Sequence, residues 1–136
     1  MSLAGKTGIL SKLGSLLDKF KQAPSVSEDK VASAVNRWEK SRGYLLPEGD
    51  PSKVAKRMGI TSVQLFRYCL DVKGEDFRTW RTRLRIEEAK KQLLAEPDVP
   101  VSVIARRVGI NDRSNFSRLF RDHTGMLPSA WREANS

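Results

Sequence analysis

A short polar run near the C-terminus carries side chains that can form paired hydrogen bonds with the edges of DNA bases. Its members are Arg113, Ser114, Asn115, Ser117 and Arg118. Arginine can donate two hydrogen bonds to guanine, asparagine can bond adenine in the same two-point manner, and serine is permissive. At helical spacing Phe116, Leu119 and Phe120 fall on the opposite side. The pattern predicts a helix that presents this polar face to a DNA groove; a solvated basic face is the plainer alternative.

The segment that contains this run has an earlier counterpart in the chain. Val54-Ala-Lys-Arg-Met-Gly-Ile60 returns as Ile104-Ala-Arg-Arg-Val-Gly-Ile110, and the correspondence continues beyond one extra residue in the second copy. Each copy predicts a short helix, a turn at Gly-Ile and a second helix that carries arginine. That is the layout of a helix-turn-helix. Two copies in one chain predict that the second helix of each copy contacts base edges of the same duplex. We call these two helices the reading helices.

The reading helix of the first copy has a less polar outward face. Its outward positions are Ser62, Val63, Phe66 and Arg67. Leu65, Tyr68 and Cys69 are expected to be buried. Val63 and Phe66 cannot hydrogen-bond to bases, but they can contact thymine methyl groups. Packing of Phe66 on a neighbouring helix or on a protein partner is the alternative, and we expect this helix to read fewer positions than the second.

The charge of the chain indicates an anionic partner. Its 136 residues carry a formal net charge of +9 at pH 7. Charge alone does not distinguish nucleic acid from anionic lipid, and only the placement of the charge decides between them. No apolar run reaches the roughly eighteen residues of a membrane span. Basic side chains near the helix ends can contact phosphates, which sets affinity without reading sequence. The candidates are Lys56, Arg57, Arg106, Arg107 and Arg121.

Caps, apolar spacing and turn residues predict where the helices lie. No stretch alternates with period two, so we expect an all-α fold of about seven helices. We expect two helix-turn-helix subdomains joined by a long central helix. The predicted segments are a lead-in at 1–24, a first subdomain at 25–74, a central helix at 75–96 and a second subdomain at 97–136. Thr61 or Ser62 is expected to cap the first reading helix, and Asn111 the second.

The length of the central helix fits the repeat of DNA. At a rise of about 1.5 Å per residue, a helix of some twenty residues is about 30 Å long. One turn of B-DNA is about 34 Å, so such a spacer can set two reading helices in successive major grooves.

The lead-in is basic and amphipathic by its sequence pattern. One helical stripe is formed by Ile9, Leu10, Leu13, Leu16, Leu17 and Phe20. Lys12, Lys19 and Lys21 lie off that stripe. The pattern predicts a connector or a helix that packs back on the domain. A dimer contact and binding to a membrane surface are the alternatives.

Nothing in the sequence has the spacing of a catalytic or metal site. The chain has one histidine, His123, and one cysteine, Cys69, far apart in sequence. Cys69 aligns with Phe120 of the second copy, so an inert buried thiol is expected. We expect no enzymatic activity, no metal and no cofactor. A single cysteine forms no intramolecular disulfide, which fits a cytoplasmic protein.

These residues together resemble the DNA-binding domain of the AraC/XylS family of bacterial transcription regulators. The central helix of that family is similar to Arg85-Ile86 with Ala89 and Leu93-Leu94. Its second helix-turn-helix and closing segment are similar to a longer set, Ile104-Ala105, Gly109-Ile110, Phe116, Phe120, Gly125, Pro128-Ser129 and Trp131-Arg132. The resemblance covers about residues 27–133. Ile110 stands where the family usually has an aromatic residue, and Trp131 where it often has tyrosine.

The resemblance implies a bacterial, cytoplasmic regulator that binds adjacent major grooves of double-stranded DNA and regulates transcription, often through contact with RNA polymerase. It maps base contacts onto Val63, Phe66 and Arg67 in the first reading helix. In the second reading helix it maps them onto Arg113, Ser114, Ser117 and Arg118. Most members also carry a sensor or effector domain, for which 136 residues leave no room. The chain is therefore expected to be either a stand-alone regulator or the C-terminal part of a longer protein. The alternative function is a protein-docking module with only non-specific DNA affinity.

Overall fold

The computed structural model describes residues 28–136, and every regular element in that range is helical. Helix α1 covers residues 28–40. It is followed by α2 (Pro51–Met58), α3 (Ser62–Tyr68), α4 (Phe77–Ala95), α5 (Val101–Arg107), α6 (Arg113–Thr124) and α7 (Pro128–Asn135). A 3-10 turn covers Gly43–Leu45, and a π turn covers Cys69–Lys73. The prediction of an all-α fold with about seven helices is confirmed. The amphipathic lead-in at 1–24 lies outside the described residues.

Several predicted helix ends were wrong. The second reading helix, α6, begins after Asp112 rather than Asn111, because the Asp112 carboxylate accepts hydrogen bonds from the amides of Ser114 and Asn115. The central helix, α4, begins at Phe77 because Asp76 caps it through the Thr79 amide at 2.8 Å. The first reading helix, α3, passes after Tyr68 into the π turn, which ends at Lys73 before the left-handed Gly74.

The sequence repeat is reproduced in the backbone hydrogen bonds of the two turns. In the first copy the Gly59 amide donates to the carbonyl of Lys56, and the Ile60 amide to that of Ala55, both at 3.0 Å. In the second copy the Gly109 amide donates to Arg106 at 3.0 Å and the Ile110 amide to Ala105 at 2.9 Å. Both glycines are left-handed, with φ of +83° and +87°. That conformation costs other residues about 1–2 kcal/mol.

Helix α4 contributes to two hydrophobic cores. Near its start Phe77 and Trp80 pack with apolar side chains of α1, α2 and α3. Further along, Ile86 and Leu93 pack with those of α5 and α6. Each reading helix is therefore anchored to the same rigid element. Tyr68 and Leu119 were expected to be buried, but both are only half-buried at the rims of these cores.

Two arginines at equivalent places in the repeat, the buried Arg81 and the half-buried Arg132, hold the segments that lead into each helix-turn-helix. Arg81 donates to the carbonyl oxygens of Glu48 at 2.7 Å and Gly49 at 3.2 Å, just before α2. Arg132 donates to three carbonyls before α5, those of Leu93, Glu96 and Val99. A guanidinium offers five donors in a fixed fork, so one side chain can satisfy several carbonyls at once. The repeated Trp-Arg pair thus has a structural role.

A third arginine, Arg85, is buried and connects the two halves of the molecule. Arg85 donates from Nε to the carbonyl of Tyr44 and from Nη2 to that of Leu46, both at 2.6 Å. The turn of the second helix-turn-helix lies against the same loop. A Cβ added at Gly109 would lie only 2.7 Å from the Leu45 carbonyl oxygen and 3.1 Å from Arg85 Nη2. We call this group of five residues, Tyr44, Leu45, Leu46, Arg85 and Gly109, the joint.

Burial lowers the pKa of Arg85 but leaves its side chain charged. Desolvation, followed by repulsion from Arg81, lowers the pKa of Arg85 to about 10. The side chain therefore stays protonated at neutral pH and continues to donate to both carbonyls.

Replacing Arg85 with Met should destabilise the domain by about 3 kcal/mol, because a hydrogen bond to a charged group contributes about 1.5–3 kcal/mol and carbonyls would be left unsatisfied. The measurement is urea unfolding of the full chain followed by circular dichroism. The matched control is Arg83→Met on the same helix. Arg83 is paired with Glu75 but exposed, so its loss should cost less than about 1 kcal/mol. Equal unfolding midpoints for the two variants would contradict the role given to Arg85.

Gly109→Ala and Gly59→Ala should lower the free energy of unfolding by different amounts, although the two glycines have similar φ. An added Cβ at Gly59 meets nothing within 4 Å, so only the cost of left-handed backbone is expected, about 1–2 kcal/mol. At Gly109 the added Cβ also overlaps backbone oxygen of the joint, which cannot move aside like a flexible side chain. Gly109→Ala should therefore lower the free energy of unfolding more than Gly59→Ala in the same denaturation experiment. Identical losses would show that the joint is not tightly packed.

Candidate nucleic-acid interface

Aromatic packing on the buried side of helix α6 fixes its orientation. Phe116 and Phe120 are fully buried, with ring centroids 5.7 Å apart. Trp131 from α7 meets Phe120 edge-on, also at 5.7 Å. Edge-on and tilted aromatic contacts add about 0.5–1.5 kcal/mol to the burial itself. These contacts, with the Asp112 cap, determine which side of α6 faces outward.

The outward side of α6 carries the five predicted base-contacting residues at different degrees of exposure. Arg113, Ser114 and Arg118 are exposed, whereas Asn115 and Ser117 are half-buried. Arg118 donates from Nη2 to Asn115 Oδ1 at 2.5 Å, and its Nη1 lies 3.8 Å from an Asp122 carboxylate oxygen. The structure thus joins Arg118 and Asn115 into one polar unit. A side chain held in this way is partly ordered before any base edge approaches it.

Helix α3 has a complete N-terminal capping box, and its apolar side faces the core. Thr61 and Gln64 form a capping box, with reciprocal side chain to backbone hydrogen bonds of 2.9 and 3.0 Å. Leu65 and Cys69 face the core and are almost completely buried. All four predicted outward residues, Ser62, Val63, Phe66 and Arg67, are exposed.

Phe66 does not pack into the core. Its side chain is 57% exposed and borders a shallow hollow of about 230 Å³ between α3 and the start of α4. Ser62 and Arg78 border the same hollow. Arg78 is exposed, and it was missed by sequence reasoning because it has no basic counterpart in the second copy, where Ser129 occupies the equivalent position. It adds a cation beside the first reading helix.

The predicted phosphate-contacting residues are all exposed, but they are not equally free. Lys56, Arg106 and Arg121 form no ion pair with any of residues 28–136. Arg57 lies 3.8 Å from a Glu48 carboxylate oxygen, and Arg107 bonds Glu96 at 2.7 Å. Exposed ion pairs of this kind contribute at most about 1 kcal/mol, so a phosphate group can compete for either arginine.

The lone thiol is inert in this fold. Cys69 is fully buried, and desolvation raises its pKa to about 11, so it remains a neutral thiol at physiological pH. In the described part of the chain no group of three histidine, cysteine or acidic side chains could hold a metal ion. None of the helices described for residues 28–136 is long and apolar enough to cross a membrane.

The chain is similar to known bacterial regulators over both copies of the repeat. A family model described as "Helix-turn-helix domain" matches residues 54–134. The arabinose operon regulatory protein of Escherichia coli is 32% identical over 83 residues, which are 61% of this chain and 28% of that protein. The transcriptional regulator RipA of Corynebacterium diphtheriae is 30% identical over 130 residues, 96% of this chain and 38% of that protein. The chain thus spans well under half the length of either relative.

A solved structure supports the same assignment. The C-terminal domain of AraT, a response regulator from Geobacillus stearothermophilus, superposes with a TM-score of 0.68 at 27% identity. The match covers 77% of this chain and 84% of that one. Two helix-turn-helix units share one central helix, each with an exposed arginine on its second helix, and the family model covers more than half of the chain. The chain therefore belongs to the AraC-type family of helix-turn-helix DNA-binding domains of transcription regulators.

Proposed function

We propose that the chain binds DNA by inserting α3 and α6 into successive major grooves and so recognises a bipartite, asymmetric site of roughly twenty base pairs. The observation that carries this proposal is the shared orientation of the two helices. At equivalent positions of the repeat, Leu65 and Phe116 are buried while Arg67 and Arg118 are exposed. Both helices pack on α4, whose nineteen residues extend about 29 Å. No two-fold axis is needed, because one chain supplies both reading helices.

The proposed base contacts of the two helices differ in number and in chemistry. From α6 they are Arg113, Ser114, Asn115, Ser117 and Arg118, and from α3 they are Ser62, Val63, Phe66 and Arg67. Hydrogen-bonding side chains dominate the α6 set, so that half is proposed to discriminate guanine and adenine strongly. In the α3 set Val63 and Phe66 suit thymine methyl groups, and Arg67 is the principal hydrogen-bond donor. The α3 half is proposed to read fewer positions.

Phosphate contacts are proposed for the basic side chains that surround these two faces. They are Lys56, Arg57, Arg106, Arg107 and Arg121, joined by Arg78 beside the hollow at Phe66. Such contacts set affinity and register, and they make binding strongly dependent on salt.

For the whole protein we propose a bacterial, cytoplasmic transcription regulator. Because the matched relatives are much longer than this chain, a sensor or effector domain outside residues 1–136 fits the proposal, as does contact with RNA polymerase. Within the chain, the division into subdomains at 25–74 and 97–136, with a central helix between them, remains part of the proposal.

A protein-docking module is the second candidate function. The observation that favours it is the exposure of two large apolar side chains on one reading helix, Val63 at 64% and Phe66 at 57%. Exposed apolar side chains that cluster often mark interaction surfaces. On this view α3 would contact a protein and the chain would bind DNA without sequence preference.

Arg67→Ala and Arg118→Ala should each remove one half of the recognised site. When binding sites are selected from a random duplex pool, the wild type should enrich two boxes about one helical turn apart. Arg118→Ala should lose the box read by α6 and Arg67→Ala the other, because each bidentate contact is worth about 1–3 kcal/mol of discrimination. Each variant is the control for the other. Enrichment of no sequence by the wild type, with only salt-sensitive binding to any duplex, would contradict the proposed function.

Phe66→Ala should distinguish DNA reading from protein docking. If Phe66 contacts thymine methyl groups, its truncation should weaken binding to the selected duplex by roughly tenfold, the equivalent of about 1.4 kcal/mol. The measurement is fluorescence anisotropy with the selected duplex. The matched control is Leu70→Ala, one turn further along and also partly exposed, which should leave affinity unchanged. Unchanged affinity for Phe66→Ala would favour the docking role of α3.

A further inference from the structure

The arginines of the two reading helices occupy equivalent positions of the repeat but have different surroundings. Each copy carries an amide side chain one turn before its arginine and an aspartate one turn after it. The corresponding residues are Gln64 with Asn115, Arg67 with Arg118, and Asp71 with Asp122. Because residues three and four apart on a helix are neighbours, both flanking side chains could reach the arginine in either copy.

In α6 both neighbours contact the arginine. Arg118 donates from Nη2 to Asn115 Oδ1 at 2.5 Å, and its Nη1 lies 3.8 Å from a carboxylate oxygen of Asp122. The hydrogen bond is the firmer contact, because Asn115 is half-buried while the ion pair is exposed. A guanidinium carries five N–H donors, so these two contacts leave enough donors for a two-point bond with guanine.

In the first copy neither equivalent contact forms. Gln64 Oε1 accepts a hydrogen bond from the Thr61 amide at 2.9 Å, so the amide oxygen is used to cap α3. Asp71 lies in the π turn, which changes the helical register after Tyr68. Arg67 accordingly forms no ion pair with Asp71 or with any other carboxylate of residues 28–136.

We propose that Asn115 and Asp122 are positioning residues that hold Arg118 ready for one guanine, whereas Arg67 adapts to more than one base. The inference rests on the proposed function of α3 and α6 and refines it. A two-point bond to adenine needs both the oxygen and the nitrogen of an asparagine amide. The oxygen of Asn115 is engaged by Arg118, so Asn115 acts on the site through that arginine.

Holding Arg118 in advance affects both affinity and base preference. A long side chain that becomes ordered on binding reduces affinity, and an arginine already ordered in the free protein avoids part of that loss. A held arginine is also less able to turn towards another acceptor when guanine is replaced. The carboxylate of Asp122 opposes the approach of a phosphate, which keeps Arg118 available for a base edge. The α6 box should therefore require its guanine more strictly than the α3 box requires its own base.

The positioning is tested without DNA by NMR relaxation of the arginine Nε–H groups in the full chain. Signals are assigned by their loss in Arg118→Lys and Arg67→Lys. In the wild type the Nε–H of Arg118 should be more ordered than that of Arg67. Asn115→Ala should lower its order to that of Arg67, while Asn115→Asp, which keeps an acceptor oxygen, should preserve it. Equal order of the two arginines in the wild type would overturn the proposal.

The base preference is tested by anisotropy with the selected duplex and with a version carrying adenine in place of the guanine that depends on Arg118. Asn115→Ala should reduce the ratio of the two affinities by roughly three- to tenfold, and Asn115→Asp should retain it. The base read by Arg67 is the internal control, because neither variant should change the preference there. If both variants instead lose a separate adenine and keep the guanine ratio, Asn115 reads a base directly and the proposal is overturned.

The part of Asp122 is tested by Asp122→Asn against the matched control Asp71→Asn. Both substitutions remove one negative charge at equivalent positions, but only Asp122 is paired with an arginine of a reading helix. Asp122→Asn should lower the guanine ratio by roughly twofold, as expected for an exposed pair, and Asp71→Asn should not. Equal ratios would overturn the role of Asp122. A wild type that selects no sequence would overturn the proposed function, and an ordered Arg118 in that chain would still support the positioning contact.

Discussion

The arrangement of the two reading helices depends on the buried contact between Arg85 and the loop that follows α1. Two hydrogen bonds of 2.6 Å fix the carbonyls of Tyr44 and Leu46, and the turn at Gly109 packs directly on that loop. The loop belongs to the first half of the chain, and the turn sets the start of α6 in the second half. A shift at this contact would therefore change the angle and separation of α3 and α6 together.

Two arginines of α4 serve the fold, while the basic residues of the reading helices remain available for a ligand. Arg81 and Arg85 are almost completely buried and bond backbone carbonyls, as does Arg132 from α7. A buried charge is tolerated only where several hydrogen bonds offset the loss of water, and a guanidinium fork meets that requirement well. The net charge of +9 thus overstates the charge that can face DNA.

Much of the fold and most of the candidate interface could be predicted because their signals are local. The apolar spacing of α3 and α6 identified Leu65 and Phe116 as buried and Arg67 and Arg118 as exposed. The cap at Asp112 was missed because Asn111, directly before it, is an equally good capping residue, so residue type does not choose between the two positions. The joint could not be predicted, because Arg85 bonds carbonyls about forty residues away, and backbone carbonyls leave no signature in residue type.

The account requires that α3 and α6 are held rigidly and bind two successive grooves. The most direct test is to measure how DNA affinity depends on the spacing between the two boxes of the selected site. Anisotropy titrations would compare the selected duplex with versions carrying five or ten extra base pairs between the boxes. A rigid joint predicts that both insertions reduce affinity to that of a single box, because even a whole added turn of about 34 Å exceeds the reach of the fixed α4 spacer. Full affinity with ten inserted base pairs would contradict it, since α3 and α6 would then have to move independently.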